Sequence, residues 1–384
     1  MRRIGNCSIC GGVNTYGILF IRDNNVLYGC DSCQKTHLRA LPPLKKKIIY
    51  LDQCFLSKVF RKSDSEFIKV SATLARLAQY LALVCPYSTI HETETHQWRS
   101  EERAELFKFI KRFSRGHDFE ADYEVEMTQL QRSYEAFLKG ASPAIELVEQ
   151  DAIPKDVHQW DDFFWIDAKK YVEDAELIRS LKNQVVERMV TVIDEWRKES
   201  LSFEELFEQE GGAWKEGVMN AFIKALKDPM SFLDQPILSE YLMRLTIFRG
   251  EGGTPEEQLN KMMEYMKSDY IKHIPFVEIS SKIHALLRYK VQQGQFSSNV
   301  DKIKKIISGL YFDAKFISVY APYCDAMFVD NLMHQWLVDE KINIQAKYPV
   351  KIYSKSNLSN FKGYLEGIER DISEEQKKIV NEIY

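Results

Sequence analysis

Two short apolar runs, each followed by an aspartate, most constrain how this chain can fold. Ile48–Leu51 leads into Asp52, and Ala326–Val329 leads into Asp330. Four apolar residues in a row are typical of a strand covered on both faces, as in a parallel sheet. Open α/β folds bind their ligands at the carboxyl edge of such a sheet. The sequence therefore predicts an α/β fold with both aspartates at one ligand site.

Three further acidic side chains are candidates for the same site. Asp325 directly precedes the second run, and Asp313 lies in the helical segment before it. Glu94 follows another short apolar run, Leu83–Cys85. Carboxylates gathered at one edge repel one another unless a divalent cation neutralises them, and oxygen ligands favour Mg²⁺ or Mn²⁺. The alternative for Glu94 and its neighbour Glu92 is helix capping, because the helix dipole stabilises carboxylates near a helix start.

Four cysteines near the amino terminus have the spacing of a zinc site. Cys7 and Cys10 form one CxxC pair, and Cys30 and Cys33 form another, with 19 residues between the pairs. This spacing fits tetrahedral Zn²⁺, and residues 17–28 between the pairs are typical of a hairpin. We expect a zinc ribbon over residues 1–41, with a structural zinc, because ~40 residues cannot build a core alone. The alternative, a pair of disulfides, is disfavoured in the cytosol.

Size and composition indicate a soluble protein of two or three domains. The chain has 384 residues, 45% of them hydrophobic and 28% charged, which is ordinary for globular proteins. No apolar run approaches the ~20 residues of a membrane span, and the amino terminus lacks the apolar core of a signal peptide, so a cytoplasmic location is expected. The net charge of −4 divides into +6 for residues 1–47 and −10 for the remainder. This bias makes nucleic-acid contact by the ribbon an alternative to a purely structural role.

The middle of the chain has helical periodicity, broken at glycines such as Gly211-Gly212. The predicted helices cover residues 101–113, 123–138, 163–198, 213–226, 233–248, 255–272 and 276–291. They predict an all-helical insertion over residues 116–294, within an α/β domain made of residues 47–115 and 295–384. The insertion is a candidate surface for a second copy or another protein. The stiff Pro42-Pro43 link is expected to separate the ribbon core from the core of the α/β domain.

The order of these elements resembles the PIN-domain nucleases. The family's first motif is similar to YLDQCFLSKVF through Asp52, and its second is similar to STIHETET through Glu94. Its last two motifs are similar to YFDAKFISVYAPYCDAMFVDN through Asp313 and Asp330, with Asp325 as an additional acid. The resemblance covers roughly residues 47–115 and 295–370.

The chain departs from the family pattern beside two of these acids. Gln53-Cys54 follows the first aspartate in place of a small or polar residue, and Val329 precedes the last aspartate in place of threonine. Fewer hydroxyl groups weaken the support of metal ligands by surrounding hydrogen bonds.

The resemblance implies a PIN-like, mostly parallel sheet and Mg²⁺- or Mn²⁺-dependent hydrolysis of phosphodiester bonds, with RNA favoured over DNA. In this interpretation Asp52 and Asp330 bind the ion directly. Glu94 and Asp313 complete its shell or orient water, and Asp325 is a further candidate for that role.

Two other classes of function remain open. A catalytically inactive nucleic-acid-binding or adaptor protein would use the zinc ribbon and the helical insertion, and would need neither Asp52 nor Asp330. A zinc enzyme is disfavoured, because four cysteines close the coordination shell and a catalytic zinc needs an open position.

Overall fold

The protein is a mixed α/β structure with two separate sheets and many helices. The computed structural model describes residues 1–96, 98, 100–161, 175–227, 254–296 and 300–384. A small antiparallel sheet occupies the amino terminus, and a parallel four-stranded sheet is assembled from both ends of the remaining chain. Within the described ranges, no helix has the length and apolar character needed to cross a bilayer.

The amino-terminal sheet is a four-stranded antiparallel meander. Its strands are β1 (Arg2–Gly5), β2 (Tyr16–Arg22), β3 (Asn25–Cys30) and β4 (Thr36–Ala40). The predicted hairpin is present as β2 and β3. Asp23 and Asn24 form its two-residue turn, both with positive φ (49° and 56°), as a turn that follows the twist of the strands requires. The outer strands β1 and β4 were not predicted.

The parallel sheet confirms the four strands expected from the sequence at residues 48–52, 83–86, 326–329 and 349–353. These are β5 (Lys47–Leu51), β6 (Leu83–Val84), β7 (Ala326–Phe328) and β8 (Lys351–Tyr353), in the order β6-β5-β7-β8. Every neighbouring pair is parallel. The central strands β5 and β7 are adjacent although most of the chain lies between them, because the entropy cost of closing a loop grows slowly with its length.

Successive side chains of the central strands point to opposite faces of the sheet, and each face packs against its own hydrophobic core. Ile48, Tyr50 and Met327 belong to one core, which also contains the helices between residues 122 and 320. Ile49 and Phe328 belong to the other core, on the opposite face of the sheet. Both faces are therefore covered, which explains why these strands are continuously apolar in sequence.

Fourteen α-helices lie in the part of the chain that the structure describes. They are α1 (Gln53–Phe60), α2 (Ser65–Gln79), α3 (Thr89–His96), α4 (Ser100–Ser114), α5 (Asp122–Leu138), α6 (Ala175–Trp196), α7 (Phe203–Lys227), α8 (Pro255–Lys267), α9 (Pro275–Gln292), α10 (Val300–Tyr320), α11 (Asn331–Leu337), α12 (Ile344–Lys347), α13 (Leu358–Asp371) and α14 (Glu374–Ile383). The predicted helix 233–248 and the start of 163–198 lie outside the described residues. The predicted break at Gly211-Gly212 is wrong, because α7 runs through both glycines. Packing of its buried residues against α9 outweighs the ~1 kcal/mol that each glycine costs a helix.

The amino-terminal sheet shares its core with the carboxyl terminus, contrary to our expectation of separate cores. Ile18 and Val26 pack in one cluster with Val380 and Ile383 of α14. The indole nitrogen of Trp160 donates to the backbone oxygen of Pro42 at 2.8 Å, so the proline link is itself anchored. The stiffness of Pro42-Pro43 is a local property, whereas the position of α14 on the ribbon depends on contacts that no local sequence pattern predicts.

Candidate functional site

Asp52 and Asp330 lie at the carboxyl ends of the two central strands. Leu51 of β5 pairs in register with Phe328 of β7, and the Asp52 backbone N–H donates to Phe328 O at 2.9 Å. Asp52 caps α1 by accepting the Gln53 N–H at 2.7 Å. Asp330 caps α11 by accepting the N–H of Met333 at 2.7 Å. Each carboxylate is thus held by the start of the helix that follows its strand.

A pocket opens between these two aspartates and α10. It contains about 250 Å³ of empty space, its mouth included, and Asp52, Asp313 and Asp330 are its acidic lining residues. The remaining lining residues are Tyr50, Ile90, Phe316, Ile317, Val329 and Met333. Three carboxylates in a small and otherwise largely apolar pocket create a strongly negative potential, because low-dielectric walls focus the field.

The pKa values in this pocket reflect that crowding. Burial raises the pKa of Asp52, and the nearby Asp330 carboxylate raises it further, while hydrogen bonds from Cys54 and Gln53 partly offset the rise. Burial also raises the pKa of Tyr50, and the carboxylates of Asp52, Glu94 and Asp313 add to this effect. Glu94 of α3 thus contributes to the field at Tyr50, but it is not one of the residues that line the pocket.

The pocket is thus lined by three of the five predicted acids, Asp52, Asp313 and Asp330, whereas Asp325 lies elsewhere. Asp325 precedes β7, so the length of that strand separates it from Asp330. Its carboxylate binds Lys47 Nζ at 2.7 Å and accepts the Ile48 N–H at 2.9 Å. The expectation that Asp325 joins the site does not fit this position. Because Asp325 comes before β7 and Asp330 after it, the direction of the strand already places the two acids at opposite ends, and the carboxyl edge of the sheet belongs to Asp330.

The spacing of the carboxylates bears on how they could hold an ion. In the described part of the chain, the cysteines form the one group of three or more ligand atoms that all lie within 4.8 Å of one another. No three of the pocket carboxylates are that close. Mg²⁺ is typically bound through one or two carboxylates while it keeps several waters. The pocket carboxylates therefore do not form a ready set of three direct ligands for an ion.

The buried His91 side chain hydrogen-bonds to the end of strand β5, next to the pocket. The sequence did not suggest this structural role. The His91 Nε2–H donates to Leu51 O at 2.7 Å, and its Nδ1 accepts the Ser88 N–H at 2.9 Å. Burial lowers the pKa of His91 to about 4, so the ring is neutral at physiological pH. It links the strand end before Asp52 to the helix that carries Glu94. Sequence analysis also did not single out Tyr50, since a tyrosine in a buried strand carries no distinctive signal.

The four cysteines form a compact cluster at one end of the antiparallel sheet. Their sulfur atoms all lie within 4.8 Å of one another, with Cys7–Cys33 at 3.9 Å and Cys10–Cys30 at 3.7 Å. A tetrahedral ion with Zn–S bonds of about 2.3 Å would separate its sulfurs by about 3.8 Å. Hydrogen bonds with Thr15 and the Cys33 backbone lower the pKa of Cys30. The hydrogen bond from the Gly12 backbone acts to lower the pKa of Cys10, but burial and hydrogen bonds with the other cysteines outweigh it and raise this pKa to about 11.

Comparison with known proteins does not assign the chain to a family. No family model matches it, and neither a curated protein nor a solved structure matches it. Function is therefore inferred from the chemistry of the two sites.

Proposed function

We propose that the protein is a PIN-like, metal-dependent nuclease that hydrolyses phosphodiester bonds, with RNA favoured over DNA. The observation that supports this best is the position of Asp52 and Asp330, which end two adjacent parallel strands and line one pocket with Asp313. This is the placement that the PIN resemblance implies for those acids. The preference for RNA depends on the resemblance alone.

In this proposal the chain supplies ligands and orientation. Asp52 and Asp330 hold a Mg²⁺ or Mn²⁺ ion, and Glu94 and Asp313 hold and orient water at its edge. The bound ion would lower the pKa of its water and neutralise charge on the phosphorane. The N–H groups of Gln53 and Met333 each hold one oxygen of a principal ligand, and Cys54 also hydrogen-bonds to Asp52, so the ion would bind beside these hydrogen bonds.

We further propose that the cysteine cluster holds one structural Zn²⁺. The sulfur separations fit a tetrahedral ion, and four thiolates leave no open coordination position for catalysis. The expected measurement is one equivalent of zinc in protein purified without chelator. Protein that contains no zinc would contradict this assignment.

A cleavage assay on single-stranded and structured RNA and on DNA tests the proposed nuclease. Wild-type protein with Mn²⁺ should cleave, and EDTA should abolish cleavage. Asp52→Asn and Asp330→Asn should each reduce the rate by ~10²-fold or more, the scale of losing one key electrostatic interaction in the transition state. Asparagine is also a good helix cap, so both variants should remain folded. Cleavage that survives both EDTA and Asp52→Asn would rule out this site.

One observation favours the second candidate, an inactive adaptor. Within the described residues, six of the ten exposed large hydrophobic side chains lie in the first 38 residues. They are Met1, Ile4, Ile9, Val13, Phe20 and Leu38. Concentrated exposed apolar residues are typical of an interaction surface. An adaptor would bind a partner through the ribbon with unchanged affinity in Asp52→Asn, and its acidic pocket would bind no Mn²⁺.

A further inference from the structure

Tyr50 is a buried polar residue in the wall of the acidic pocket. It lies on β5, two residues before Asp52, and only 3% of its surface is exposed. It lines the pocket together with Asp313 and Asp330. Its ring stacks on His91, with 5.4 Å between ring centroids and 27° between the planes, and contacts Phe119 at 6.2 Å. Packing on both rings holds the side chain in one orientation.

No hydrogen bond of the Tyr50 hydroxyl is found among the described residues, and this hydroxyl is not one of their fully buried orphaned polar atoms, so it is not sealed off from the pocket that Tyr50 lines. Tyr320 provides a direct comparison, because it also packs on Phe119, at 4.4 Å. The Tyr320 hydroxyl donates to Glu120 O at 2.8 Å. A tyrosine hydroxyl that borders an open pocket and has no protein partner can donate its hydrogen bond to a molecule bound there. A hydrogen-bond partner for the Tyr50 hydroxyl would therefore be a molecule bound in the pocket that Tyr50 lines.

We propose that the Tyr50 hydroxyl donates a hydrogen bond to a non-bridging oxygen of the phosphodiester bound in this pocket. This inference rests on the proposed nuclease function and names a further residue that contacts the substrate. A phenol is a neutral donor at physiological pH, so it attracts a phosphate oxygen at a site where the surrounding carboxylates repel it. A donor already fixed in position stabilises developing charge without reorganisation.

Tyr50 keeps its proton in this scheme. Water attacks phosphorus, the bond from phosphorus to the leaving oxygen breaks, and the phenol only donates a hydrogen bond to an oxygen that gains negative charge. The loss of that hydrogen bond should therefore slow turnover and leave the binding of the ion by Asp52 and Asp330 intact.

Tyr50→Phe tests the proposal, because it removes the hydroxyl and keeps the ring. With Mn²⁺ and single-stranded RNA, kcat should fall by about 10²-fold, the scale of one lost oxyanion donor. The Mn²⁺ dissociation constant, measured by electron paramagnetic resonance, should stay within about twofold of wild type. The melting temperature without metal should be unchanged or higher, because no hydrogen bond in the protein is lost.

Tyr320→Phe is the matched control. It removes a hydroxyl that does have a partner, so its melting temperature should fall while kcat stays near wild type. Three results would overturn the inference. In the first, Tyr50→Phe cleaves RNA at the wild-type rate and Asp52→Asn does not. This result would overturn the role of Tyr50 and would still support the proposed nuclease. Tyr50→Phe could instead lose melting temperature or Mn²⁺ affinity, which assigns the hydroxyl a structural role. Wild-type protein that cleaves no substrate would overturn the inference and the proposed function together.

Discussion

At the scale of single residues, half of the basic side chains near the amino terminus are paired with acids within the protein. Four of the eight Lys and Arg side chains in residues 1–47 form ion pairs. The pairs are Arg3–Asp31, Arg39–Glu382, Lys46–Asp161 and Lys47–Asp325. The formal charge of +6 therefore overstates the positive surface that this region offers to nucleic acid.

The raised pKa of Asp52 predicts how stability depends on pH without divalent metal. The unfolded carboxyl ionises at its usual pKa and the folded one at a higher pKa, so the folded state loses stability as pH rises through the folded pKa. Asp52→Asn cannot ionise and keeps the cap on α1. In EDTA, the melting temperature of Asp52→Asn should match wild type at acidic pH and exceed it at neutral pH. Saturating Mn²⁺ should reverse the order, because only wild type gains the full binding free energy.

Asp64→Asn is the control for this prediction. Asp64 also caps a helix, α2, but the neighbouring Lys355 lowers its pKa. Its contribution to stability is present at neutral pH and is lost as pH falls. Asp64→Asn should therefore be slightly less stable than wild type at neutral pH. If Asp52→Asn behaved in the same way, burial and the Asp330 carboxylate would not be the forces that act on Asp52.

At the scale of elements, α14 is part of the ribbon core. Ile379, Val380 and Ile383 of α14 are buried in that cluster, and Glu382 accepts hydrogen bonds from Tyr28 and Arg39. Loss of zinc, for example in Cys10→Ser, should therefore also loosen α14, which is a larger effect than the local unfolding expected of an independent ribbon.

Ile383→Ala is expected to destabilise this shared core. Truncation of a fully buried isoleucine costs about 2–5 kcal/mol, and Ile383 has no exposed surface. Thermal unfolding should show the loss, and zinc should pass faster to a chromophoric chelator. Asn381→Ala, on the exposed side of the same helix, should change neither. Equal melting temperatures for the two variants would mean that α14 does not contribute to the ribbon core.

At the scale of the whole molecule, a buried ion cluster around Asp161 joins distant parts of the chain. The Asp161 carboxylate binds Lys46 Nζ at 2.5 Å, Arg115 Nε at 3.3 Å and His117 Nε2 at 3.4 Å. Its backbone oxygen accepts the hydroxyl of Tyr384. The segment before β5, the segment after α4 and the carboxyl terminus therefore meet at one residue.

Asp161→Asn should destabilise the fold by about 3–5 kcal/mol, because it leaves the fully buried Lys46 ammonium without its counter-charge. Burial acts to raise the pKa of Asp161, but His117, Lys46 and Arg115 outweigh it and lower the pKa. The stabilisation is thus present at neutral pH and is lost in acid, where the variant and wild type should converge. Urea unfolding across pH measures this. Glu374→Gln, which breaks the exposed Lys377–Glu374 pair, should cost little. A loss no larger than that of the control would contradict the prediction.

Local sequence patterns were sufficient to predict the strands of the parallel sheet, the hairpin of β2 and β3, the cysteine cluster and most helices, but not β1 and β4. Uninterrupted apolar runs predicted β5 and β7, because strands covered on both faces have no polar positions. The CxxC spacing predicted that the four sulfurs meet, because each pair lies on one tight turn. The glycines of α7 misled the prediction, since a local cost of ~1 kcal/mol per glycine is small beside the packing of a long helix.

The sequence by itself determined which segments become strands and which cysteines cluster, because these depend on neighbours along the chain. It also nominated Asp52, Glu94, Asp313 and Asp330 through their positions relative to strand ends. Only the tertiary structure decided that Asp325 pairs with Lys47 of β5, that His91 and Tyr50 flank the acidic pocket and that α14 completes the ribbon core. Those outcomes depend on contacts between residues far apart in the chain, whose free energies are set by packing and burial in three dimensions rather than by any local pattern.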